Sequence, residues 1–297
     1  MSDAVSSRSA APGSLNDRGV GVLGGGRMGA GIAHAFLLAG ARVDVVERDA
    51  GAADAAVQRI GDSIRRSAER DPDLDPAETA SRLHVGVDLA RFSGAALVIE
   101  AVPEDRMLKH DALARVDAVL GEGAVLASNT SSISIDDLAA AVRDPGRFLG
   151  LHFFNPVPAS ALVEIVRGSA TDDRVVDLAR GWVQSLGKTP ITVSDSPGFA
   201  SSRLGVMLGL EAIRMLEEGV ASAEDIDTAM TLGYRHPMGP LRTTDIVGLD
   251  VRLGIAEELA RELGERFAPP ELLRTMVTEG RLGRKSGEGF YVWNEER

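Results

Sequence analysis

His152 and Glu164 stand twelve residues apart, on two apolar runs at 148–154 and 162–166 that are separated by a turn carrying Pro156 and Pro158. If the runs pair as an antiparallel hairpin centred near Pro158, the imidazole and the carboxylate are directly opposed on one face. Cross-strand partners have Cβ atoms roughly 4.5–5.5 Å apart, near enough for the carboxylate to accept an imidazole N–H. Such a bond fixes the tautomer and stabilises the imidazolium that forms when the other ring nitrogen takes a proton. That is the apparatus of a general base. It is also the pattern of a satisfied structural pair, so the assignment depends on the rest of the chain. Just upstream, SNTSSIS at 128–134 offers small hydroxyls, among them Ser131.

The elements that must position these groups begin at Val20, with VGVLGGGRMGAGIAHAFLLAGARVDVVERD. Val20, Val22 and Leu23 read as a buried strand, residues 28–39 as a helix, and between them Gly24, Gly26 and Gly29 form G-x-G-x-x-G. The three glycines serve different steric ends, namely the tight turn, close approach of backbone to a pyrophosphate, and close helix-to-strand packing. The phosphate would then rest on the helix N-terminus, among Gly24, Gly25, Gly26, Arg27, Met28 and Gly29. A second strand over 42–46 ends in Glu47, eighteen residues after Gly29. A carboxylate there can bind both ribose hydroxyls and would repel a 2′-phosphate, which favours NAD over NADP; the adjoining Arg48 weakens that preference.

Alternation continues downstream. Residues 83–87 and 96–102 read as strands, 104–120 as a helix, and 124–127 as a strand entering SNTSS, followed by the strands at 148–154, 162–166 and 191–193. This order predicts a mainly parallel, doubly wound sheet that binds ligands outside the strands' carboxyl ends. Ser134 and Asp137 suggest a capping box for the next helix, which leaves Ser131 for a ligand. Between the second and third strands a long helix carries Ser63, Arg65, Arg66 and Arg70. Its usual meaning is a solvated face; on an acidic chain it is also a landing place for a polyphosphate handle.

After DSPGF the pattern turns helical. A helix starting at Pro197 has apolar residues on more than one face, which predicts burial on several sides and a homodimer formed by the helical domain. Further helices are expected over 223–232 with Ser222 as N-cap, over 240–263 with a proline in the first turn, and over 270–278. The final GRLGRKSGEGFYVW is too apolar at Phe290, Tyr291 and Trp293 to be free, and should dock.

The 297 residues suggest two domains, and the apolar and charged fractions, 44% and 26%, are ordinary for a globular protein. No apolar run approaches the roughly 20 residues of a membrane span. The polar first eighteen residues have no secretory h-region and read as a disordered tail. With no cysteine there can be no disulfide, thiolate metal site or cysteine nucleophile, and no metal is expected. A net charge of −12 argues against a nucleic-acid partner. A cytoplasmic protein is expected.

The segments GGGRMGAGIA, IEAVPED, SNTSSIS, GLHFFNPVP, LVEIV, DSPGF, EDIDTAM, PMGP, GLD and GRKSGEGFY, in this order, resemble the L-3-hydroxyacyl-CoA dehydrogenase family from Val20 to Trp293. The resemblance implies a Rossmann-type NAD-binding domain over 19–196 and an all-helical dimerisation and substrate domain over 197–297. It implies NAD as cofactor and an acyl-CoA, of short chain, as substrate. It makes His152 the catalytic base, Glu164 its partner and Ser131 a contact to the substrate's 3-oxygen. It gives Glu47 the adenosine ribose, lines the rest of the NAD site with Glu104, Lys109, Ser131, Asn155 and Lys285, and sets Ser63 and Arg70 against CoA. One position departs: where the family has asparagine before the arginine that follows PGF, FASSR has Ser202. Serine offers one rotatable hydroxyl in place of an amide donor and a carbonyl acceptor. That departure leaves open a CoA-free hydroxy acid as substrate, as in gulonate dehydrogenases, and, in another class, a dinucleotide-binding protein without activity.

Overall fold

The computed structural model describes residues 19–293; the tail expected over 1–18 lies outside them. The chain divides into two compact units, one ending at Asp195 and one beginning at Ser196.

The first unit is a single sheet of eight strands: β1 (Val20–Leu23), β2 (Val43–Val46), β3 (Leu83–Gly86), β4 (Leu97–Glu100), β5 (Val125–Ser128), β6 (Phe148–Phe153), β7 (Leu162–Arg167) and β8 (Thr189–Ser194). Their order is β3-β2-β1-β4-β5-β6-β7-β8. The six from β3 to β6 are parallel, β7 is antiparallel to β6, and β8 is parallel to β7. The mainly parallel, doubly wound expectation is therefore met. The central strands read as unbroken apolar runs because both faces are covered, and every residue of β4 and β5 is buried.

Helix α1 (Arg27–Leu38) inserts Ile32, Ala33, Phe36 and Leu37 into the core, each larger side chain contributing about 2 kcal/mol by its removal from water. Helix α2 (Ala50–Ala68) adds Ile60 and Ile64 to the same core and is capped by Asp49. It ends at Ala68, so Arg70 lies in the following turn and not on the helix as expected. A short α3 (Pro76–Ser81) precedes β3 and is not among the expected elements. Helix α4 (Arg106–Val119) starts two residues later than expected, because Asp105 is its N-cap. Ser134 caps α5 (Ile135–Ala139), accepting from the Asp137 amide at 3.1 Å. The reciprocal half of a capping box is not what Asp137 forms; its carboxylate meets His110 and Arg106. Helix α6 (Asp173–Ser185) crosses between β7 and β8 and buries Val176, Ala179, Trp182 and Val183.

The second unit is helical: α7 (Ser201–Glu217), α8 (Ala223–Thr228) running into a π-helical turn at Ala229–Gly233, α9 (Pro240–Val247), α10 (Leu249–Leu263) and α11 (Glu271–Thr278). Two expectations need correction. Pro197 does not start α7: Gly198 and Phe199 have φ of 74° and 52°, a left-handed pair that no right-handed helix contains, so the helix begins at Ser201. Residues 240–263 are not one helix: Gly248, at φ 105° and ψ 129°, separates α9 from α10. Ser222 caps α8 as expected, and Pro270 sits at the N-cap of α11.

The apolar tail docks within this unit, on Asp245. Its buried carboxylate accepts from the Phe290 amide at 2.9 Å, the Tyr291 amide at 3.0 Å and Trp293 Nε1 at 2.8 Å. Burial pushes the Asp245 carboxyl up, and the three donors oppose it without cancelling it.

Candidate active site

Parallel pairing from β1 to β6 brings three segments to one edge of the sheet: the loop after β1, the loop after β5, and the last residues of β6. At the first, Gly26 is the N-cap of α1 and makes no side-chain capping bond, and a Cβ placed on Gly26 would meet nothing within 4 Å. The approach to the N-terminus of α1 is thus clear of a side chain at Gly26, which suits a phosphate. A Cβ on Gly29 would collide with the Gly24 carbonyl oxygen, which explains glycine there. Arg27 is exposed and Met28 half-buried in the first turn. Gly25 is pinned from two sides: its amide donates to Glu47 Oε1 at 2.6 Å, and its carbonyl accepts from Arg59 Nη1 at 3.3 Å. Glu47 Oε2 accepts the Arg48 amide at 3.1 Å, while the Arg48 side chain turns to Asp49.

At the second segment a buried ion pair supports the loop. Lys109 is 1% exposed and Glu100 fully buried; Lys109 Nζ donates to Glu100 Oε1 at 2.7 Å and to the Val102 carbonyl at 3.2 Å, and lies 3.4 Å from Glu104 Oε2. Ser128 Oγ donates to the other Glu100 oxygen at 2.6 Å. Glu104 then gathers the SNTSS loop, accepting from Thr130 Oγ1 at 2.6 Å, the Ser131 amide at 2.9 Å, and the Ser132 amide and hydroxyl at 3.1 Å each. Burial raises the Glu104 carboxyl, but the Lys109 charge and these donors outweigh it and hold its pKa below the usual glutamate value. Ser131 itself is half-buried, with its backbone fixed by Glu104.

At the third, the hairpin has the expected register: His152 opposes Glu164, flanked by Leu151–Ile165 and Phe153–Val163 pairs. Glu164 has no exposed surface and His152 is 4% exposed; Nδ1 lies 2.7 Å from Glu164 Oε2. The buried carboxylate accepts a hydrogen bond from Nδ1–H, which leaves the lone pair on Nε2. The Phe154 ring leans on the imidazole at 4.5 Å between centroids. Asn129 Oδ1 accepts the Phe153 amide at 2.9 Å, tying the SNTSS loop to the end of β6. Asn155 is exposed, directly beyond Phe154.

The remaining expected residues belong to α2, to the turn after it and to the second unit. Ser63 on α2 donates to the Arg59 carbonyl and accepts from Arg66; Arg65 is paired with Asp62. Arg70 forms no ion pair among the described residues. Ser202 and Lys285 belong to the second unit, Ser202 in the first turn of α7 and Lys285 with its ammonium 2.5 Å from both Asp250 oxygens. Glu100 and Asn129 fall inside the sequence motifs without a part assigned to them there. A strand-end acid and a turn asparagine look alike in sequence whether exposed or buried, and only their burial reveals what they hold.

Residues 19–196 match the family description "3-hydroxyacyl-CoA dehydrogenase, NAD binding domain", and residues 198–293 match "3-hydroxyacyl-CoA dehydrogenase, C-terminal domain". The chain belongs to the 3-hydroxyacyl-CoA dehydrogenase family. It is 44% identical to the 3-hydroxybutyryl-CoA dehydrogenase of Mycobacterium tuberculosis over 279 residues, 92% of this chain and 98% of that protein. It is 42% identical to a probable 3-hydroxybutyryl-CoA dehydrogenase of Deinococcus radiodurans over 275 residues, 92% and 99% of the two chains. Among solved structures, the (S)-3-hydroxybutyryl-CoA dehydrogenase of Ralstonia eutropha superposes with a TM-score of 0.88 at 41% identity, over 93% of this chain and 99% of that one. The first unit of such a family member binds NAD, and the loop after β1 has residues whose chemistry would suit the dinucleotide: a side-chain-free approach to the N-terminus of α1 at Gly26, and a carboxylate at Glu47.

Proposed function

We propose that this protein interconverts 3-hydroxyacyl-CoA and 3-ketoacyl-CoA esters of short chain with NAD, and that His152 and Glu164 move the proton. The observation that carries the reading is the buried 2.7 Å His152–Glu164 bond at the same sheet edge as the NAD-binding loop. Held by the loop after β1, NAD would supply the redox chemistry, exchanging a hydride with C3 of the substrate. His152 Nε2 takes the proton of the 3-hydroxyl, and Glu164 holds the Nδ1 proton and the charge that appears on the ring. In the reductive direction the same nitrogen donates. Ser131 donates to the 3-oxygen as it gains carbonyl character. Glu47, Glu104 and Asn155 complete the NAD site, Lys109 acts there through its hold on Glu104, and Ser63 and Arg70 meet the CoA phosphates.

The substrate in the relatives' names, 3-hydroxybutyryl-CoA, supports a short acyl chain, and the Glu47 carboxylate supports NAD over its 2′-phosphorylated form. A homodimer through the helical unit, and a cytoplasmic setting, belong to the same reading. Leu204 on α7 is 71% exposed and Val251 on α10 45% exposed. A second copy would cover such a surface.

Ser202 favours one competing reading, a CoA-free hydroxy acid as substrate. A panel of acetoacetyl-CoA, longer 3-ketoacyl-CoA esters and free acetoacetate, each with NADH and NADPH, separates the two. The highest kcat/KM is expected with acetoacetyl-CoA and NADH; equal activity on the free acid would replace the CoA-ester reading.

A further inference from the structure

Lys188 is the residue before β8, and the strand register decides what it can reach. Parallel pairing sets Leu162 beside Thr189, with the Thr189 amide donating to the Ala161 carbonyl at 2.6 Å. The Lys188 side chain therefore starts next to the turn that joins β6 to β7. Its ammonium donates to two carbonyls of that turn, Val157 at 2.7 Å and Ser160 at 2.5 Å. No carboxylate pairs with it among the described residues, and burial draws its pKa below the usual lysine value. A cation kept partly out of water with carbonyls as its partners is an unusual choice for a surface turn on a chain of net charge −12. Charge-assisted bonds to carbonyls are stronger than neutral ones, which suits a turn that has to be held still.

The turn has little else to hold it from that side. Its own backbone bonds are the Ala159 and Ser160 amides to the Pro156 carbonyl, both 3.1 Å. On the other side Val157 is buried against α1, where a Cβ on Gly31 would come within 2.9 Å of the valine side chain. One end of the turn is Phe154, whose ring rests on the His152 imidazole, followed by Asn155. The segment is thus pressed onto the dinucleotide helix by Val157, tied to β8 by Lys188, and in contact with the base through Phe154.

We infer that Lys188 is a positioning residue for the chemistry: its ammonium fixes the 154–160 turn, and with it the ring that packs on His152 and the backbone that presents Asn155. This rests on the functional reading above, but the clamp has a signature that does not need turnover. Lys188→Met removes both donors at nearly constant length. Lys188→Arg keeps donors for both carbonyls.

The test is hydrogen exchange over residues 154–161 together with steady-state kinetics on acetoacetyl-CoA and NADH, for the wild type, Lys188→Met and Lys188→Arg. Lys188→Met is expected to speed exchange in that segment while the other strands keep their protection. It should also lower kcat by about tenfold, within the range that small misplacement of catalytic groups costs, with KM for the ester little changed. Lys188→Arg should recover most of both. If Lys188→Met does not fold, Lys188→Gln, a neutral donor, carries the same expectation at smaller size. Unchanged exchange in 154–161, or unchanged kcat in an active enzyme, overturns the inference. A wild type inactive on acetoacetyl-CoA overturns the functional reading instead, and exchange alone then judges the clamp.

Discussion

Glu164 and Glu104 are both carboxylates at the site, yet they do different work. Glu164, wholly buried, lies 2.7 Å from the His152 ring and can stabilise a charge that forms there. Glu164→Gln keeps the volume and an acceptor oxygen but removes that charge, and is expected to lower kcat by about tenfold or more, with NADH affinity unchanged by fluorescence titration. Glu104 instead organises a loop, and its folded pKa lies below its unfolded one. Its contribution is therefore complete above the usual glutamate range and is lost as pH falls through the folded value. Acid should loosen residues 129–133 before the sheet unfolds, read by hydrogen exchange, and Glu104→Gln should abolish the pH dependence of that step. At this scale the sequence was informative where two residues face each other across a hairpin, because the two-residue period of a strand fixes faces. It was silent on the Glu100–Lys109 pair, since nothing in IEAVPED says that the acid is buried or that a helix will bring an ammonium to it.

The central strands were legible because parallel strands covered on both faces must be continuously apolar, as β4 and β5 are; the partly exposed β3 and β8 were read from their place in the strand–helix alternation. Helix α6 was passed over, although Val175, Val176, Ala179, Trp182 and Val183 have helical spacing; the parallel pairing of β7 with β8 requires a crossover of this kind. The break between α9 and α10 was not legible, because a single glycine in DIVGLD fits a helix interior as well as an interruption, and only its positive φ decides. That break lies beside Asp245, which anchors the tail. Asp245→Ala leaves three donors without their acceptor and is expected to cost about 3 kcal/mol or more. Chemical denaturation would measure the loss, and limited proteolysis should show residues 282–293 becoming cleavable.

For the whole molecule, composition excluded more than it specified: a chain without cysteine and with net charge −12 is a poor candidate for thiol chemistry or phosphate-backbone binding. No helix among the described residues is long and apolar enough to cross a membrane. The sequence pattern changes at DSPGF, where strand alternation gives way to helices; the compact units divide between Asp195 and Ser196. How copies assemble was not readable, because an apolar helix face looks the same whether a neighbour in the same chain or a second chain covers it. The proposed dimer predicts that sedimentation equilibrium at micromolar concentration gives twice the chain mass, and that Leu204→Glu shifts the protein towards monomer.

The central claim is that His152, held by Glu164, is the proton-transfer group of an NAD-dependent 3-hydroxyacyl-CoA dehydrogenase. The most direct measurement is the rate of NADH oxidation by acetoacetyl-CoA in His152→Gln beside the wild type, with NADH affinity determined on both proteins. The expected result is a wild-type enzyme with ready turnover and a variant slower by at least about a hundredfold that binds NADH as before. A variant that turns over at the wild-type rate would contradict the claim.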